Sequence, residues 1–190
     1  MPRIIPLGEL TKPDIALIRE TAREVLKQRA AEVLRIDPNE IVVRDLVVGD
    51  ESDATDFVDL DFRTASVVGQ EFWAEDAADL VAGDLSAILV AGETIPDNKF
   101  VGVFGFFDLT PNPDLTGVRL LRGSDTLDFW QTEQCYVYSE MPGGLIRGVI
   151  IYDQSDPVSW EMNFKTATDK FVGFFSYIAE RFGEQISKAA

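Results

Sequence analysis

The chain has 190 residues, one cysteine, no histidine and a formal charge of −16, from 33 Asp and Glu against 17 Lys and Arg. The missing histidine excludes Ser-His-Asp and Cys-His nucleophile pairs, histidine acid–base catalysis and most zinc and iron sites. A lone Cys135 excludes an internal disulfide, and a hydrophobic share of 46% is enough to fill the core of one domain without staples.

The charge is uneven along the chain. Residues 1–36 hold 7 Lys and Arg against 5 Asp and Glu, residues 37–98 hold 2 against 16, and residues 99–190 hold 8 against 12. A field of that sign repels nucleic acid and anionic membranes and attracts basic partners or cations; solubility, or adaptation to salt, is the plainer reading. Met1–Leu10 carries one Arg and no apolar run of signal-peptide length. No window reaches the ~18 apolar residues of a membrane-crossing helix, so neither secretion nor membrane insertion is expected.

In chain order, residues 1–10, with Pro2 and Pro6, read as an extended arm. A helix is expected over 11–36, with Thr11 as its cap, Pro13 in the first turn and Asp14 three residues after the cap. Ile15, Ile18, Ala22, Val25, Leu26, Ala30, Val33 and Leu34 recur at helical spacing, and Asp37-Pro38 ends the run. Arg19, Arg23, Lys27 and Arg29 form a basic outer face, expected to pair with the acidic 37–98 region within or between subunits.

Residues 40–165 read as a β-rich core. Strands are expected over 40–48 and 57–63 and from Leu85 to Gly92, with an acidic loop at 49–55 and a short helix at 70–82. Phe100–Leu109 is apolar on both faces, which marks a strand covered on both sides, with Gly102 and Gly105 admitting a close neighbour. Thr110, Pro111, Asn112, Pro113, Asp114 and Leu115 follow as a proline-stiffened loop and a candidate contact surface. Val118–Leu121 resumes as a strand. Leu127–Ser139 reads as one long strand, Met141-Pro142-Gly143-Gly144 as a hairpin turn and Leu145–Tyr152 as the return strand. Val158, Trp160, Met162 and Phe164 alternate with polar residues in the cleanest strand pattern of the chain. A C-terminal amphipathic helix is expected over 167–186, with Thr166 and Asp169 as cap and Phe171, Phe174, Phe175, Ile178, Ala179 and Phe182 as its stripe.

The expected fold is therefore α+β and mainly β: an antiparallel β-sandwich or barrel-like core flanked by an N-terminal and a C-terminal helix, in a single domain over 11–190. No Walker-type or dinucleotide-binding glycine motif is present, so no cofactor is expected. Cys135 reads as a buried, inert thiol in mid-strand. Asp50, Glu51, Asp53 and Asp56, followed by Asp59 and Asp61, lack the ligand spacing of a calcium loop, and no metal site is assigned. Glu133, Glu140, Asp153 and Glu161 are the acids that a glycosidase-like pair would draw on, and Trp130, Tyr136, Tyr138 and Trp160 are the aromatics a sugar platform would use. No catalytic residue is assigned.

Two functional classes follow. The stretches FVGVFGFFDLTPNPDLTGVRLLRG and LDFWQTEQCYVYSEMPGGLIRGVIIYD, flanked by helical arms, resemble the virion coat or decoration proteins of bacterial and archaeal viruses over residues 100–165. That resemblance implies a non-enzymatic structural protein of a homo-oligomeric assembly, a capsid-associated virion component assembled in the host cytoplasm, whose partners are itself and other structural proteins. The alternative is a small β-sandwich binding or carbohydrate-active module with an aromatic and carboxylate cleft.

Overall fold

The structure, a computed structural model, describes residues 3–46, 73–75, 83, 85–87, 93–110, 112–137, 142–166 and 170–183. Its strands are β1 (Ile4–Pro6), β2 (Ile41–Asp45), β3 (Trp73–Glu75), β4 (Leu85–Ala87), β5 (Glu93–Thr94), β6 (Lys99–Asp108), β7 (Leu115–Arg122), β8 (Asp125–Gln131), β9 (Gly143–Tyr152), β10 (Pro157–Phe164) and β11 (Lys170–Arg181). The helices are α1 (Lys12–Leu34) and the single-turn α2 (Gln134–Val137). All the strand pairs are antiparallel and form two sheets. The first runs β1-β9-β6-β11-β2, with β3 also on β11; the second runs β4-β10-β7-β8, with β5 also on β10. Among the described residues neither sheet closes on itself, so the barrel-like alternative does not hold.

The expected arm is part of the first sheet. Ile4–Pro6 pairs with Gly144–Ile146, and Ile4 is buried. The chain then enters α1 through the expected cap: the Thr11 hydroxyl accepts from the Asp14 amide, and the Asp14 carboxylate accepts from the Thr11 amide at 3.0 Å. Two orphan amides of the first turn are thereby satisfied. Arg35 ends the helix in the left-handed region at φ 56°, with the Ile36 amide bonded back to the Ala31 carbonyl. Ile18, Ala22, Leu26 and Ala30 are buried as α1 lies across β9, β6, β2 and β11. Val25 departs from the expected stripe and stays 45% exposed.

Phe100–Asp108 is covered on both sides, as the two-sided apolar pattern of Phe100–Leu109 predicts, while Leu109 at its end is exposed. On one face Leu26 of α1 packs over Gly102, where an added Cβ would meet Val149 at 2.7 Å and Leu26 at 3.2 Å. On the other face aromatic rings of the two sheets meet. Phe106 lies 6.5 Å from Trp130, while Trp160 lies 4.6 Å from Phe174 and 6.2 Å from Tyr152. Val158, Trp160, Met162 and Phe164 are all buried, as their alternation predicts.

The C-terminal helix over 167–186 is not there; Lys170–Arg181 is β11, interior to the first sheet between β6 on one side and β2 and β3 on the other. Its run of aromatics fits two opposed faces as well as a helical stripe. Phe174 points to Trp160 in the second sheet, while Phe175 packs on Phe107 at 5.3 Å and Phe104 at 6.2 Å. An irregularity between Phe175 and Ser176 shifts the register, so simple alternation is lost from the sequence. Thr166 caps no helix and instead bonds through its amide and hydroxyl to the Asp114 carboxylate.

Leu127–Ser139 is not one strand. β8 ends at Gln131, because buried Thr132 turns back on β7, its amide donating to the Thr116 carbonyl and its hydroxyl to the Leu115 carbonyl. Cys135 then sits in α2 rather than in mid-strand. Met141–Gly144 is no hairpin either, because β8 and β9 belong to different sheets. Gly144 instead lets β1 and α2 approach β9: an added Cβ would lie 2.7 Å from Ile4 Cγ1 and 3.1 Å from Cys135 Sγ. Within the expected helix at 70–82, Trp73–Glu75 is a strand on Lys170–Val172. The strand expected from Leu85 to Gly92 is described over Leu85–Ala87. The strand expected at 57–63 and the acidic loops at 49–55 and 50–61 lie outside the described residues.

Candidate interaction surface

The basic residues of α1 do not form one solvated face. Arg19 turns toward the first sheet, its Nε donating to Tyr177 Oη at 3.0 Å and its Nη2 to Asp45 Oδ1 at 3.1 Å. These contacts, Tyr177 foremost, hold the Arg19 guanidinium charged above its ordinary range. Arg23 Nη2 donates to the Val43 carbonyl at 2.7 Å, capping an outward-facing acceptor of β2. The expected pairing of the basic face with the acidic region is met at Asp45. Arg29 leans to the other side and grips both oxygens of Asp153, at 3.1 and 2.6 Å. Lys27 lines a cleft of about 400 Å³ with Glu20, Arg23, Glu24 and Ile41–Val43.

A second cleft, of about 260 Å³, lies on the opposite flank of α1, lined by Asp14, Leu17, Ile18, Thr21, Arg147 and Gly148. It exists because β9 is irregular there. Val103 pairs Ile150 and Gly105 pairs Leu145, so residues 146–149 stand against Phe104 alone. Leu17, 68% exposed, and Val25 are two turns apart on the outer side of α1. Leu17 lies outside the expected helical stripe, and its one-residue offset from Ile18, Ala22 and Leu26 is the sequence signal that marks it.

The proline-stiffened loop is held at both ends. The Thr110 amide donates to the buried Asp108 carboxylate at 2.9 Å, and Leu115 is fully buried at the start of β7. Asp114 ties the loop to Thr166 and Lys165. Asn112 is exposed and Pro113 half-buried, so the loop presents Asn112 and its neighbour Leu109, which is 54% exposed. Pro111 lies outside the described residues.

Several charged and polar groups of the interior have structural employment. Glu180 is fully buried, accepting from Arg44 Nε and Lys99 Nζ, both at 2.7 Å. Buried Asp128 accepts from the Phe129 amide and the Trp130 indole. Tyr136 Oη lies 3.4 Å from Asp108, and burial followed by the Asp108 charge raises its phenol far above the ordinary range. Burial, with a smaller contribution from Glu9, pushes the Cys135 thiol up to about 12, which keeps it protonated and unreactive.

The acids of a glycosidase-like pair are engaged with separate cations: Glu133 with Lys165, Asp153 with Arg29, and Glu161 with Arg119. Glu140 lies outside the described residues. Trp130 and Trp160 are each 1% exposed, so they fill the core and form no sugar platform; Tyr138 lies outside the described residues. Among the described residues no group of three metal-ligating side chains converges, and no helix is long and apolar enough to cross a membrane. Comparison of the chain with protein-family models, with curated proteins and with solved structures finds no match.

Proposed function

We propose that this chain is a non-enzymatic structural protein of a homo-oligomeric assembly, a capsid-associated virion component working through contacts with its own copies and with other structural proteins. In this reading the two sheets form a β-sandwich whose aromatic interior carries no chemistry, and α1 is the outer, contact-making layer. The observation that supports it most is the set of large apolar side chains left at the surface on separate elements: Leu17 and Val25 on α1, Leu109 before the stiff loop and Phe182 after β11. Residues of this kind are ordinary when scattered singly; in this reading they serve as contacts where copies of the chain bring them together into a larger apolar patch.

Light scattering on the eluting purified protein, read across concentration, tests the reading. Discrete species larger than one chain, growing with concentration, are expected. A persistent monomer that binds members of an oligosaccharide array would overturn it in favour of a carbohydrate-binding module.

A further inference from the structure

The irregular stretch 146–149 of β9 places one side chain between two clefts. Arg147 lines the cleft of about 260 Å³ beside Leu17 and Ile18, and it also lines a cleft of about 410 Å³ with Arg3, Ile4, Ile5 and Glu9. One side of Arg147 is therefore largely apolar, with Leu17 68% exposed, and the other carries charge. Arg3 and Arg147 are exposed, and among the described residues neither guanidinium makes a hydrogen bond or an ion pair, unlike those of Arg19 and Arg29. Of the two carboxylates there, Asp14 is taken up by the Thr11 amide and hydroxyl at 3.0 and 2.5 Å. Glu9 is left to face two guanidinium groups.

We propose that these two clefts receive residues 57–62 of a second copy of the chain. In that stretch Val58, Leu60 and Phe62 alternate with Asp59 and Asp61. Laid out as an extended chain, it sends apolar side chains to one side and carboxylates, about 7 Å apart, to the other. Across Arg147, the carboxylates then meet Arg147 and Arg3 while the apolar side chains meet Leu17 and Ile18. A segment of acids alone, or of apolar residues alone, suits only one of the two sides.

The topology favours a second copy over the same one. β2 before the stretch and β3 after it both pair with β11, on the side away from β6. The clefts lie by β1 and β9, on the far side of β6. Within one copy the stretch would have to cross the first sheet and return, whereas a neighbour set edge to edge presents its clefts directly. Long-range charge favours the same arrangement. Residues 1–36 hold 7 basic residues against 5 acidic ones, and residues 37–98 hold 2 against 16. A head-to-tail approach brings these unlike regions together, whereas a symmetric contact sets like on like. Such a contact is heterologous and repeats from copy to copy, closing into a ring or continuing as a filament.

This inference rests on the homo-oligomer reading, and a pair of variants separates the two. Arg147→Glu spoils the receiving clefts and leaves the donated stretch intact. Asp59→Lys with Asp61→Lys spoils the stretch and leaves the clefts intact. Each is expected to raise the dissociation constant of self-association at low salt roughly tenfold or more, and added salt should shrink the difference from wild type. Mixed in equal amounts, the first variant can donate to the second but not receive from it. Light scattering should then show a two-chain species that neither variant forms alone. Circular dichroism melting of each variant identifies any loss of folding, and Arg147→Gln carries the test if Arg147→Glu unfolds. Association unchanged in the Arg147 variants, or no two-chain species on mixing, overturns this contact while leaving oligomerisation standing. A wild-type chain monomeric at every concentration overturns both.

Discussion

Lys99 and Glu180 stand directly opposite each other on β6 and β11, with Lys99 Nζ 2.7 Å from Glu180 Oε2 and the Glu180 side chain fully buried. Arg44, from β2, reaches the other oxygen of the same carboxylate. Three strands of the first sheet are thus tied at one end by charge. Removing Lys99 leaves the buried carboxylate leaning on the part-exposed Arg44, whereas removing Lys99 and Glu180 together removes the desolvation cost as well. Lys99→Ala should cost up to about 3–5 kcal/mol, less whatever Arg44 retains. The pair Lys99→Met with Glu180→Leu should cost clearly less, with urea unfolding of the three proteins as the measurement.

Trp160 and Phe174 join the two sheets at a ring separation of 4.6 Å, and Trp160 has essentially no exposed surface. Trp160→Ala should therefore destabilise the fold by about 3–5 kcal/mol, the range for a large aromatic deleted from a core. Calorimetry should show a lower melting temperature, and Trp160→Phe should show a smaller loss.

Cys135 should resist modification in the folded protein. Its thiol is pushed up from 9.0 to about 12 by burial, so at pH 8 it should react with Ellman's reagent only after denaturant is added. The same shift sets a pH dependence. Between pH 9 and about 12 the unfolded thiol ionises and the folded one does not, so the unfolded state binds fewer protons and stability falls as pH rises. Tyr136 and Tyr152, also raised by burial, steepen the fall above pH 10. Cys135→Ala should flatten the first part of this decline in urea titrations at stepped pH.

Gly144→Ala should be destabilising by about 1–3 kcal/mol, because the new methyl would press on Ile4 and Cys135 where β1, α2 and β9 converge. Combining it with Ile4→Val, which removes a methyl from the same space, should recover part of the loss in the same unfolding assay.

Asp114 fastens the proline-stiffened loop to the chain leaving β10, accepting from the amide and hydroxyl of Thr166. Asp114→Ala should cost roughly 1 kcal/mol of stability. It should also speed amide hydrogen exchange at Thr166 and Lys165, whose amides bond to the Asp114 side chain and carbonyl respectively.

Much of the architecture could be read from local chemistry. The Thr11–Asp14 cap, a helix ended shortly before Asp37-Pro38, the two-sided apolar pattern of the strand from Phe100 and the alternating Val158–Phe164 strand each show in the pattern of a few neighbouring residues, and the structure has a cap, a helix end at Arg35 and buried strands there, Leu109 excepted. The lack of histidine by itself closes off histidine-dependent chemistry. Tertiary structure decided what local patterns leave degenerate. Phe174 and Phe175 belong to a strand because aromatic layers wait on both sides of it, a fact that lies some 14 residues away at Trp160 and some 70 residues away at Phe104 and Phe107. The ends of Leu127–Ser139 were set by Thr132 bonding back to β7, and the roles of the α1 charges by which of them found a partner on the sheet. Periodicity records which residues share a face; only the assembled fold determines what covers that face, and so which charges and apolar side chains remain for a partner.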